Sequence, residues 1–151
     1  MSPTRRLQLV QRVTDAKERR QAQRLALSRT RVAQCEAKLK ELQGYQAGYI
    51  RDFDKRAACG IVGAGIREFH AFLAKLSEAI RQQEELLQKA QSESESERAT
   101  WQGAAQRSQI MDKVVDRHTA SENKARDQRD QRESDDRGQR TATGRLDSGG
   151  N

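Results

Sequence analysis

The side chains with the widest chemical range in this chain are His70, His118, Cys35 and Cys59. Metal or redox chemistry would need them in tight spacings, such as paired cysteines two apart or histidines three to five apart. None of the four has such a neighbour. The glycine-rich run "GIVGAG", residues 60–65, looks like a phosphate loop only in composition. No strand pattern precedes it and no Lys-Ser/Thr pair follows it. No catalytic constellation, metal site or cofactor is therefore expected, and an enzyme is the least favoured class. Two cysteines without a framework read as free thiols in a reducing cytoplasm.

What is left is the chemistry of recognition. The stretch "LQGYQAGYIRDF", residues 42–53, holds both tyrosines, four apart and each directly after a glycine. Five of the six aromatic residues lie between Tyr45 and Phe72. Tyrosine offers a rigid apolar face and one hydroxyl, which suits a partner surface. Gly44 and Gly48 share one helix face, at a cost of about 1 kcal/mol each in helix propensity relative to alanine. That cost has a purpose if a partner must approach the backbone between the rings.

The elements that position these residues follow from periodicity. Val32, Cys35, Leu39, Leu42, Gln46, Tyr49 and Phe53 alternate steps of three and four, the a/d spacing of a coiled coil. Upstream, Leu7, Val10, Val13, Leu25 and Leu27 fit no single register, so a looser helix is expected there. Thr4 is the expected cap of a helix over about 5–57. Gly60, Gly63 and Gly65 mark a turn over 58–65. From Ile66 a second seam runs through Phe69, Leu73, Leu76, Ile80, Gln83, Leu87, Ala90, Ser94, Glu97, Trp101, Ala104, Ser108, Met111, Val115 and His118. It predicts a second helix over about 66–135. Residues 136–151 are charged, then rich in Gly, Ser and Thr, and read as a disordered tail.

The predicted fold is thus all-α: a long two-helix antiparallel coiled-coil hairpin over 1–135 with a disordered C-terminal tail. A turn near residue 61 sets residue 97 opposite about residue 25, and Tyr45 opposite about residue 77. The acidic run "SESESE", residues 92–97, would then face the arginines of the first helix. Composition agrees, with 34% apolar and 34% charged residues, against about 45–50% and about 25% in ordinary domains. Such a chain packs along a seam and lacks a large core.

The net charge of +7 is concentrated in residues 1–31, which carry nine Lys or Arg against Asp15 and Glu18. An acidic partner surface, a nucleic acid, an anionic membrane or simple solvation of a helix face would each account for it. Single-strand nucleic-acid binders interleave aromatic and basic residues, and here the aromatics sit far from the basic arm. No apolar run has signal-peptide or membrane-span length. Tyr45, Phe72, Ala79 and Leu86 lie beside the seam, and the last three repeat every seven residues. Such surplus apolar surface marks a partner face, a thickened coiled coil or self-association.

Together these pieces resemble the FliJ family of flagellar export proteins. The resemblance rests on "LQGYQAGYI", a linker ending "CGI", the run "REFHAFLAKLSEAIRQQEELL", a single Trp101 and a polar second helix with a charged tail. It implies a non-enzymatic cytoplasmic part of the bacterial type III export apparatus, peripheral to the inner membrane at the flagellar base. It implies a stalk-like coiled coil whose paired helix ends enter the hexameric export ATPase ring. The turn-proximal part would contact the cytoplasmic domain of the export gate, and export chaperones are further implied partners. By position, the gate-contacting residues would be Leu42, Tyr45, Tyr49, Phe72, Leu76 and Ala79. Family members often have Gln where this chain has Lys38, and His where it has Gln83. Arg19, Arg20 and Arg24 are expected to meet an acidic ATPase ring. The equivalent stalk of a virulence-type secretion system shares this pattern, and a basic coiled-coil nucleic-acid binder is the reading from another class.

Overall fold

The computed structural model describes residues 1–149. They form two long helices packed antiparallel, α1 (Pro3–Ala58) and α2 (Gly63–Asp147). Thr4 does not cap α1. The Ser2 hydroxyl accepts a hydrogen bond from the Arg5 amide at 3.3 Å, and Pro3 takes the first helical position, where its missing N–H costs nothing. Thr4 instead lies on the seam, hydrogen-bonded to His118 Nδ1 at 3.1 Å.

Lys55 and Arg56 occupy the last turn of α1, where cations complement the carbonyl end of the helix dipole. Gly60 then adopts a φ of 91°, the left-handed conformation that lets a helix stop without a Cβ penalty. Between the helices, non-helical backbone is confined to 59–62, because Gly63 and Gly65 belong to the first turn of α2. Gly65 leaves room for a neighbouring side chain, which would have to shift to admit a Cβ. A Cβ there would stand 2.9 Å from Ile61 Cγ2, so the linker side chain folds down on the bare backbone.

The chain divides into two compact units, Lys17–Ala104 and a second made of Met1–Ala16 with α2 from Ala105 on. In Lys17–Ala104 the seam buries Leu25, Phe69, Ile80, Ala90 and Ala104. The α1 seam through Val32, Cys35, Leu39, Leu42, Gln46, Tyr49 and Phe53 is half-buried throughout. On α2 every seam position from Phe69 to Ala104 is at least half-buried. Ile66, in the first turn, is 40% exposed, because it sits at the open end of the seam. The expected register holds: Arg24, Ser28 and Arg31 share a cleft with Glu93, Ser96 and Glu97. Arg31 and Glu93 approach to 4.0 Å with both side chains more than half exposed, so this pair guides register more than it stabilises.

The upstream part of α1 is more regular than its apolar residues suggest. Thr4, Leu7, Gln11, Thr14, Glu18, Gln21, Leu25 and Ser28 continue the same alternation and are all half-buried or buried. Val10, Val13 and Leu27, the residues that fit no register, are off the seam and exposed. Polar atoms pair across it. Trp101 Nε1 donates to Glu18 Oε1 at 2.9 Å. In the other unit, Ser108 Oγ donates to Asp15 Oδ1 at 2.6 Å and Gln11 Nε2 donates to Asp112 Oδ1 at 2.8 Å. His118, beside Glu122 at 3.6 Å, ends this row.

One seam atom is left over: Gln21 Oε1 is buried without a partner. An unpaired buried acceptor costs about 1–3 kcal/mol. Replacing Gln21 by leucine, which fits an a/d position, should therefore raise the melting temperature by several degrees, at roughly 2–4 °C per kcal/mol for a chain of this size. Thermal unfolding followed by circular dichroism checks this, and an unchanged or lower midpoint would show that solvent already satisfies the amide.

Past Glu122 every described side chain is exposed. The expected end of the ordered helix near 135 and the described part of the tail, residues 136–149, fall in this unpacked stretch. Its backbone keeps helical geometry to Asp147, although no packing supports it. Gly150 and Asn151 lie outside the described residues.

Candidate partner-binding face

The aromatic residues near the turn split into two populations. Phe69 is 7% exposed and lies between two rings of α1. Its centroid is 3.7 Å from that of Phe53 and 5.1 Å from that of Tyr49, with interplanar angles of 15° and 12°. This stack ties the end of α1 to the start of α2. Phe72, one turn along α2, touches the same Tyr49 ring at 4.5 Å and a 50° tilt but is 48% exposed. Tyr45, one turn before Tyr49, is 63% exposed.

Tyr45, Tyr49, Phe72 and Leu76 line one open groove of about 400 Å³, together with Gly44, Gly48 and Asp52. Four of the six residues named from the resemblance thus share one concave surface. Leu42 and Ala79 are half-buried and do not line it. Leu42 continues the seam, and Ala79 lies one heptad beyond Phe72. The glycines form the α1 side of the groove. A Cβ at Gly44 or Gly48 would meet nothing within 4 Å, so neither glycine is needed for packing within the chain. Asp52 is the lining residue that sequence reasoning passed over. Its signal was available, since it follows Tyr45 by seven residues and Gly48 by four.

A second groove of about 190 Å³ shares Tyr49 and Asp52 with the first and is otherwise lined by Phe53, Arg56, Ile61, Gly65, Glu68 and Phe69. His70 packs its ring against the stack, 5.5 Å from Phe69. Gln83 Nε2 donates to the Cys35 backbone oxygen at 3.3 Å, so in this chain that position serves the seam. Beside the face, Arg81 bridges Glu78 and Glu85 at 2.6 and 2.5 Å. The hydrogen bond from Arg81 holds the Glu78 carboxyl below its usual range. This ladder is fully solvated and orients the α2 surface more than it stabilises the fold.

Arg19, Arg20 and Arg24 are exposed on α1, and Arg24 lines the cleft shared with Glu93 and Glu97. Among the described residues no group of three His, Cys, Asp or Glu is placed to hold a metal ion. No described helix is long and apolar enough to cross a membrane.

The sequence matches the family described as "Flagellar FliJ protein" over residues 3–146. The chain belongs to the FliJ family. It is accordingly a component of the flagellar type III export apparatus. Neither the curated proteins nor the solved structures contain a significant match. The matched span includes nearly all of both helices and the whole turn-proximal groove.

Proposed function

We propose that this FliJ-family chain is a non-enzymatic, stalk-like coiled coil that links the export ATPase ring to the cytoplasmic domain of the membrane export gate. It sits in the cytoplasm, peripheral to the inner membrane at the flagellar base, and assists export chaperones and their cargo. The observation that carries the reading is the groove formed by Tyr45, Tyr49, Phe72 and Leu76. Two of its rings are about half exposed or more, although the seam beside them has room only for a and d residues. Apolar surface left over after internal packing is what a partner covers. Two helix ridges with a notch between them suit a helix or extended segment laid in the groove.

Capture experiments with the purified ATPase and the gate domain test this reading. Tyr45→Ala with Phe72→Ala should remove gate capture at unchanged helicity, since both side chains are exposed, and should leave ATPase capture intact. Arg19, Arg20 and Arg24 changed together to alanine should do the reverse, and more strongly as salt is lowered. Full gate capture by the Tyr45 and Phe72 variant would return that groove to a packing role. The virulence-system reading shares these contacts and separates by which gate domain is captured.

A further inference from the structure

A second exposed apolar patch lies in the unit made of Met1–Ala16 and α2 from Ala105 on. Val10, Val13, Ile110 and Val114 are 39–62% exposed. Their placement follows from the seam. With Leu7 and Thr14 at d and Gln11 at a, Val10 is a g position and Val13 a c position. On α2, Ser108 at a and Met111 at d make Ile110 c and Val114 g. Asp15 and Asp112, both e positions, reach across the seam to Ser108 and Gln11. The e positions therefore share one side of the helix pair, which leaves the g positions Val10 and Val114 together on the other, with Val13 and Ile110 outside them.

Charge is sorted between these sides. Arg6, Arg107 and Arg117 occupy c or g positions and are exposed, so they rim the apolar patch. Within 1–16 and 105–124 the carboxylates are Asp15, Asp112, Asp116 and Glu122. None of these is at c or g: Asp15 and Asp112 are at e, Asp116 is at b and Glu122 is at a. An apolar centre whose charged neighbours at c and g are all basic, with every carboxylate at other positions, is a complementary surface for one kind of partner. We infer that this face docks an acidic amphipathic helix, whose apolar stripe lies on the valines and Ile110 and whose carboxylates meet the arginines. An anionic membrane would also meet a basic rim, but interfacial surfaces insert Trp, Phe or Leu. Apart from Leu9, 43% exposed at an adjoining f position, this patch presents β-branched side chains. The inference stands apart from the turn-proximal groove and from Arg19, Arg20 and Arg24.

The test uses the full chain and a fluorescent synthetic helix of three heptads, with Leu at a and d and Glu elsewhere, beside a scrambled peptide of equal composition. Saturable anisotropy is expected for the amphipathic peptide, at least tenfold tighter than for the scrambled one. Val10→Ser with Ile110→Ser, and independently Val13→Ser with Val114→Ser, should each lose at least tenfold at unchanged helicity. Arg107→Ala with Arg117→Ala should flatten the salt dependence. Equal binding of both peptides, equal binding by wild type and both serine pairs, or no saturable binding overturns the inference. Preferential binding to phosphatidylglycerol vesicles with the same side-chain dependence overturns it in favour of a membrane.

Discussion

Phe69→Ala should unfold the turn-proximal end of this protein, whereas Phe72→Ala should leave it folded. The two residues are the same type, three apart on the same helix, and the difference in expected effect is set by burial. Phe69 is sandwiched between Phe53 and Tyr49 and almost wholly covered. Removing a buried phenylalanine costs about 3–5 kcal/mol, since the apolar transfer and the residual cavity both count. Total stabilities run to about 5–15 kcal/mol, so this single change consumes a large share. The stack is also what closes the hairpin, so its loss exposes Tyr49 and Phe53 together. Phe72 keeps about half its surface in water, and its truncation should cost about 1 kcal/mol from lost apolar burial. Urea unfolding of the two variants checks this. Equal destabilisation would mean that Phe72 is a core residue and that the groove has been misassigned.

The contrast between these two phenylalanines also shows where the sequence was legible. The heptad count placed Phe69 at d and Phe72 at g, which is the distinction the structure makes. It also placed all α2 seam residues from Phe69 to His118 on the packed face. The count failed upstream in α1, where it followed apolar residues and found no register. There the seam is filled by Thr4, Gln11, Thr14, Glu18 and Gln21. Polar side chains at packed positions are invisible to a search for apolar period, and the burial of Thr4, Gln11 and Glu18 is made tolerable by partners on the other helix, far away in sequence. The off-register valines were then a misleading guide to packing and an accurate one to surface. Helix ends were less legible for a related reason. A glycine signals that a turn is possible there, while the backbone uses only Gly60 for it. Gly63 and Gly65 serve the start of α2, one of them by admitting Ile61. The groove itself was half readable: its rings and glycines came from composition and spacing, while Asp52 shares that spacing but has no apolar side chain to draw attention to it.

Gly44→Ala with Gly48→Ala should raise stability and lower partner binding in the same molecule. Each glycine lies inside α1, where alanine is favoured by about 1 kcal/mol in helix propensity. A Cβ at either position meets nothing within 4 Å, so no steric penalty offsets the gain, and the double variant should be about 2 kcal/mol more stable if the sites add. In a chain of this size that is a rise of roughly 4–8 °C in melting temperature. The same two methyls would stand in the groove between Tyr45, Tyr49 and Phe72. A partner segment seated against the bare backbone would be lifted away from it, and a displaced contact of this kind costs about 1–3 kcal/mol in overpacking, or on the order of tenfold or more in affinity. The opposite signs make the pair of measurements decisive. A variant that is both more stable and fully competent for gate binding would show that the partner never approaches the α1 backbone, and would leave the glycines without a functional reason. A variant that is less stable would mean that the helix itself bends at these residues, and that their place in the chain is conformational. The expected result, a gain in the free protein and a loss in the complex, is the signature of residues kept against the interest of the fold. It would place the contact surface at the notch between the two tyrosines.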